Sequence, residues 1–114
     1  MIPPFVQITE VVRICRRNFK IKTTNKSCFV LSCRLRGKSL FLYNEKEHPV
    51  NRGDILYIPR GSSYAQESAG EEVVYIHFDA CSELADHIRI FPAADPDRVC
   101  ALFERCAAEY RENS

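Results

Sequence analysis

The chain lacks several features that would each have named a class of protein. No run of 18 apolar residues occurs, so no segment reads as a transmembrane helix. The start, Met1-Ile2-Pro3-Pro4-Phe5, has neither the basic opening nor the apolar stretch of a secretory leader, which predicts a cytoplasmic protein with no membrane partner. Histidine is scarce: His48, His77 and His87 are far apart in sequence, and no metal cluster is legible. No CxxC pair occurs among Cys15, Cys28, Cys33, Cys81, Cys100 and Cys106, which leaves zinc-ribbon and thioredoxin readings without support. An even cysteine count suits a disulfide framework only in an exported chain. Cys15, Cys33, Cys100 and Cys106 fall beside or in phase with apolar residues and read as small buried hydrophobes. There is no internal repeat and no low-complexity stretch.

What remains is one domain's worth of chain. The 114 residues are 46% hydrophobic, enough to bury one core. Net charge is +1, which gives no global attraction to nucleic acid or anionic lipid. The charge is unevenly spread, however. Residues 1–60 carry 12 basic and 4 acidic side chains, whereas residues 61–114 carry 4 basic and 11 acidic. The halves either neutralise each other within the fold or leave a charged surface for assembly. The basic stretch Arg13, Arg16, Arg17, Lys20, Lys22 and Lys26 lies in strand-like sequence and reads as a solvated sheet face.

The first two thirds read as β. Segments 11–15, 19–23, 28–35, 39–43, 54–58 and 73–78 are short and rich in Val, Ile, Leu, Phe and Tyr. Turn residues separate them at 24–26, 36–38, 44–52 and 61–70, a spacing that suggests a sandwich or barrel. In 28–35, Phe29, Leu31, Cys33 and Leu35 alternate with Cys28, Ser32 and Arg34, as in a half-buried strand. Arg36-Gly37-Lys38 reads as a hairpin turn into 39–43. Ser82 to Ile90 reads as a helical turn or two ending before Pro92. Asp95-Pro96 is a helix start, with Asp95 as N-cap. From there Val99, Leu102, Phe103, Cys106, Ala107 and Tyr110 form one apolar stripe, opposite Asp97, Arg98, Glu104, Arg105, Glu109 and Arg111. That stripe must cover the β-domain or pair with another helix. No Gly or Pro stop signal precedes Ser114, which fits a piece cut from a longer protein.

The most specific segment runs from Gly53 to Tyr64. Gly53-Asp54 makes a tight turn, Ile55 to Ile58 are apolar on both faces, Pro59 ends the strand, and Gly61 supplies a sharp backbone for the next hairpin. This G-x5-P-x-G spacing resembles the second motif of the cupin superfamily. The wider segment, about residues 11–78, resembles the N-terminal sensing domain of AraC-type transcription regulators. The order of its pieces carries the resemblance: Cys28 to Arg36, Gly37, a hairpin through 39–52, the Gly-Asp strand, Pro59 to Tyr64, and the closing Val73 to Phe78.

The resemblance implies a mainly β, cupin-like jelly-roll barrel (double-stranded β-helix) over residues 1–92, with a C-terminal amphipathic helix over 95–114. It also implies an effector pocket inside the barrel. Lys22, Tyr64, Gln66, Tyr75 and His77 are the expected ligand-binding residues. Val99, Leu102, Phe103, Cys106 and Tyr110 are the expected packing or dimer face, and Ile2 to Phe5 an arm over the pocket. The expected partners are a small-molecule effector, with sugars as one class, and a second copy of the chain. DNA would be reached only through a C-terminal helix-turn-helix domain absent here. No cofactor and no enzymatic activity are expected, because the histidine implied after Pro59-x-Gly61 is Tyr64, and no His-x-His lies in the hairpin before it. The alternatives are a ligand-free dimerisation module and a metal-dependent cupin enzyme.

Overall fold

The computed structural model describes residues 6–80 and 84–113; the Ile2 to Phe5 arm and Cys81 lie outside them. Its strands are β1 (Val6–Thr23), β2 (Phe29–Tyr43), β3 (Lys46–Val50), β4 (Ile55–Ile58), β5 (Tyr64–Ala80) and β6 (Arg89–Phe91), followed by the helix α1 (Pro96–Glu112). The strands form one sheet in the order β1-β5-β2-β4-β6, with β3 on the far half of β2. All of these pairings are antiparallel.

Three strands are long because expected turns are creases. Segments 11–15 and 19–23 are one strand, and so are 28–35 and 39–43. Arg36-Gly37-Lys38 is therefore not a hairpin turn. It is a bulge within β2, where the register to β5 shifts between Arg34 and Arg36 and again between Lys38 and Leu40. Gly37 sits at φ 72, and a Cβ there would lie 2.1 Å from the carbonyl oxygen of Gly70. Only glycine lets the two strands pass this closely. Asn18, at φ 44, marks the same level in β1, where Arg17 pairs with Gly70 and Gly70 with Lys38. The crease thus runs across all three strands.

Crossing the crease changes which residues point inward. In β2 the interior face passes from Val30, Ser32 and Arg34 to Ser39 and Phe41. Val30 and Phe41 share one core cluster, although eleven residues of straight strand would separate them by about 36 Å. The bend folds one sheet over on itself and makes the barrel. That barrel core is Val30, Phe41, Val50, Leu56 and Ile58. A second core lies on the outer face, where Cys33, Leu35 and Val74 meet Cys100 and Phe103 of the helix. Segment 28–35 is consequently buried on both sides rather than half-buried, and its polar phase faces the barrel interior: Ser32 and Arg34 are fully buried.

Other differences follow from pairing. Asn44 and Glu45, both at positive φ, make the turn that the sequence spread over 44–52, and 46–50 forms β3. Most of 61–70 belongs to β5. Arg89 and Ile90, the end of the segment expected to be helical, instead belong to β6, because β4 offers a free edge and Ile90 reaches the barrel core.

The helix starts as expected, with the Asp95 carboxylate accepting from the Arg98 N–H at 3.2 Å and Pro96 in its first turn. Gly53 seats it: at φ 83, a Cβ there would come within 2.7 Å of Pro96. Asp54 secures both sides, accepting from the N–H groups of Asn51 at 2.9 Å and Ala93 at 3.3 Å. The buried line along α1 runs through Cys100 and Phe103, with Val99 and Ala107 beside it. Leu102 is 57% exposed, so it belongs to the expected stripe but not to the packed face. The two charged halves neutralise each other through pairs such as Arg13–Glu72, Arg16–Glu71, Arg34–Glu71, Lys20–Glu67 and Arg52–Asp97.

Candidate functional site

Folding along the crease leaves a half-open cavity of about 220 Å³. Its apolar walls are Ile14, Ile21, Val30, Phe41 and Ile58. Its polar groups come from Arg16 and Thr23 of β1, Lys26, and Tyr64, Gln66, Tyr75 and His77 of β5. The four β5 residues expected to face a ligand are thus brought together. The strand reaches them twice, once on each side of its crease, which is why Tyr64/Gln66 and Tyr75/His77 share a wall despite opposite parity. Lys22 is not among them. Strand alternation turns Ile21 and Thr23 inward and leaves Lys22 exposed opposite Ala65.

The floor is a charged network. Glu71, with its carboxylate fully buried, accepts from Arg34 Nε at 3.1 Å, from Arg16 Nη2 at 3.2 Å, and closely from the Ser39 hydroxyl. Gln66 donates to Ser39 Oγ at 3.1 Å, and Arg34 Nη1 donates to Ser32 Oγ at 2.9 Å. Arg16 Nη2 also lies in close contact with the Tyr75 hydroxyl. Two donors are left over: Arg16 Nε and Arg34 Nη2 are buried without a partner. An unpaired buried donor costs about 1–3 kcal/mol, more on a charged group.

Burial governs the titrating groups. It pushes the Tyr75 phenol up, with Glu71 adding to the rise and Arg34 opposing it. It pushes Tyr64 up as well. It pushes His77 below the usual imidazole value, helped by the nearby Lys26 charge and opposed by Glu10. At neutral pH the cavity therefore presents two phenol hydroxyls and a neutral imidazole beside fixed cations. Rings surround them: Phe41 and Tyr64 are 5.6 Å apart, Tyr75 and His77 6.3 Å.

Sequence reasoning missed Arg16, Lys26, Arg34 and Glu71. Arg34 was visible as the charged member of an otherwise apolar strand. Lys26 is fixed by the turn after Pro59: its N–H donates to Ser62 O at 2.9 Å and its carbonyl accepts from Gly61 N at 2.7 Å. The basic stretch does not form one solvated face, because Arg16 turns into the cavity.

Other surfaces carry less chemistry. A wider, open groove of about 820 Å³ follows the outside of the crease past Phe19, Leu40 and Pro49. Ser39 is its one buried polar side chain, and its hydroxyl is committed to Glu71. Cys33 and Cys100 are buried with their sulfurs 4.0 Å apart, and burial pushes the Cys33 thiol up to about 12, with Cys100 adding to it. Both behave as core residues, whereas Cys15 is exposed, against expectation, because its side of β1 faces solvent. Among the described residues no three His, Cys, Asp or Glu side chains are grouped to hold a metal. Among the same residues no helix is long and apolar enough to cross a membrane. Along the helix, Tyr110 donates its hydroxyl to Thr9 O at 3.1 Å, and Cys106 is half-buried. Leu102, Cys106 and Tyr110 border a shallow depression with Ile8 and Val11.

No protein-family model and no curated protein matches the chain. Solved structures do. The chain is similar to ToxT from Vibrio cholerae, in a P21 crystal form solved at 1.65 Å, with a TM-score of 0.64 and 12% identity, over 90% of this chain and 47% of that one. A second ToxT structure, from Vibrio cholerae O395, gives a TM-score of 0.66 at 12% identity, over 94% of this chain and 46% of that one. The chain thus spans about half the length of the proteins it matches. The fold is mainly β, a cupin-like barrel with one C-terminal helix.

Proposed function

We propose that this chain is the effector-sensing domain of an AraC-type transcription regulator and that it binds a small molecule in the cavity bounded by Tyr64, Gln66, Tyr75 and His77. The AraC-like order of motifs and the fold shared with ToxT, an AraC-family regulator, support this reading. One observation carries the mechanism. Strand β1 lines the cavity at Ile14, Arg16, Ile21 and Thr23, and the same strand meets the helix at Val11 and Thr9. A ligand that straightens or shifts β1 changes how the helix sits. It can do so only by the difference in its affinity for the two arrangements. On this reading the helix passes the signal to a separate DNA-binding domain, in a cytoplasmic bacterial regulator.

The helix also supports a second element of the proposal, pairing with another copy. Leu102 and Ile8 are large apolar side chains left 57% and 48% exposed, and they border the same shallow depression. A thermal-shift screen against sugars, sugar acids and common metabolites, with light scattering to follow size, tests both elements. A ligand at 100 times its dissociation constant stabilises the fold by about 2.7 kcal/mol, several degrees at this size. A selective hit abolished by Tyr64→Ala supports sensing. A silent screen on a dimeric protein transfers the assignment to a ligand-free assembly module.

A further inference from the structure

The packed contact between sheet and helix holds a pair of thiols. Cys33 of β2 and Cys100 of α1, 67 positions apart in the chain, face each other with their sulfurs 4.0 Å apart. Leu35, Val74 and Phe103 close around them, and the two residues are 0% and 2% exposed. Both sulfurs also point at one carbonyl. Cys100 Sγ lies 3.5 Å and Cys33 Sγ 3.8 Å from Arg34 O, which already accepts from Gly53 N at 2.9 Å. The sulfurs need to approach by about 2 Å to reach disulfide length, which a change of side-chain rotamer and a small slide of the helix supply. The contact sits where the helix is held. Gly53 seats Pro96, and the Asp54 carboxylate accepts from Ala93 N just before the helix begins. Beyond Cys100 the helix is held less firmly: Leu102 is exposed, and Tyr110 reaches β1 through a hydrogen bond to Thr9 O.

We propose that Cys33 and Cys100 are a redox-controlled lock: a small-molecule disulfide oxidises them to a bond that staples α1 to β2, and reduction releases the helix. The chemistry is two exchanges. The Cys100 thiolate attacks one sulfur of the oxidant, forming a mixed disulfide and expelling one thiolate. The Cys33 thiolate then attacks the Cys100 sulfur, closing the Cys33–Cys100 bond and expelling the second thiolate. The two protons lost by the cysteines end on the released thiols, so two cysteine thiols are oxidised and one disulfide is reduced. Burial keeps the Cys33 thiol protonated, pushed up to about 12, so the closed pair is inert and exchange waits for the helix to part from the sheet. In a reducing compartment, disulfides are usually of this transient, sensing kind. On the sensing reading above, the oxidised form holds α1 in place however the cavity is filled.

The test equilibrates the 114-residue chain with oxidised or reduced glutathione and then blocks free thiols with an alkylating reagent. Peptide mapping of the oxidised chain should find Cys33 linked to Cys100, and excess reduced glutathione should restore both thiols. The linked chain should melt about 10 °C higher, since the bond closes a long loop. Its α1 amides should exchange with solvent roughly ten-fold more slowly. Cys100→Ala should remove both effects of oxidation. If that variant does not fold, a chain carrying Cys15→Ser, Cys28→Ser, Cys81→Ser and Cys106→Ser keeps the pair as its only thiols and should retain both effects. Recovery of Cys33 and Cys100 as free thiols after full equilibration overturns the proposal. So does linkage of either one to another cysteine, or a linked chain whose melting and helix exchange match those of the reduced chain. Each of those outcomes leaves the effector screen untouched, so the lock can fail while the sensing reading stands.

Discussion

The molecule has two cores on opposite faces of one sheet, and they are built by different rules. Between sheet and helix, Cys33, Leu35, Val74, Cys100 and Phe103 exclude water with no charged group among them. Inside the barrel, an apolar cluster of similar size shares its space with Arg34, Glu71, Ser32, Ser39 and Gln66, all buried. The first core is a stability element: its contacts are dispersion and the release of water from apolar surface. The second has desolvated Arg34 and Glu71 outright and drawn the partly exposed Arg16 onto the same carboxylate, and hydrophobic residues of the same volume would commonly match or exceed such a buried pair in stability. Arg16, Gln66 and Tyr75 of this second network also line the cavity, so the charged interior and the cavity share their side chains.

The largest effect should come from breaking the charged floor. Glu71→Gln leaves the Arg34 charge buried without its counterion and should cost about 3–5 kcal/mol in denaturant unfolding. The double variant Arg34→Met/Glu71→Leu should recover much of that loss. A cost below about 1 kcal/mol for the single change would mean that water reaches Arg34.

Next in size is the apolar core. Phe103→Ala should destabilise by about 3 kcal/mol, and Leu102→Ser, one residue away but exposed, by no more than about 0.5 kcal/mol in the monomer. If the helix pairs two copies, Leu102→Ser should instead lower the apparent mass in solution at constant unfolding midpoint. Equal destabilisation by the two variants would contradict the packing described here.

The smallest effect is a pH dependence. Burial lowers the folded imidazole of His77 below its ordinary 6.5, so as pH falls the unfolded chain takes up the proton first. The contribution of neutral His77 is complete above that value and declines as pH falls from there through the lower folded value. His77→Gln should flatten this part of the stability profile measured between about pH 8 and pH 5, the window around the ordinary imidazole value. Identical slopes in the two proteins would place His77 in water.

Several parts of this structure were legible residue by residue. Strand content followed from the β-branched and aromatic segments, the helix start from Asp95-Pro96, and the end of β4 from Pro59. Tyr64, Gln66, Tyr75 and His77 were found by alternation within short segments together with the family resemblance. Lys22 came from the family resemblance alone, and the strand places it exposed opposite Ala65, with Ile21 and Thr23 lining the cavity instead. The hairpin assigned to Arg36-Gly37-Lys38 failed for a different reason. A glycine between two apolar runs has the same local signature whether the chain reverses or only creases. Gly70, the residue that decides between them, is 33 positions away in the chain.

The sequence by itself determined which short segments prefer strand, where the helix begins, and that the two charged halves could compensate one another, because propensity, capping and composition are local or additive. The tertiary structure alone decided that the polar phase of β2 is an interior rather than a surface, and that Arg16 and Arg34 converge on Glu71. It alone left donors over beside a cavity. Those outcomes depend on which face of a strand the folded sheet encloses, and that is set by the crease, a contact between backbones distant in sequence.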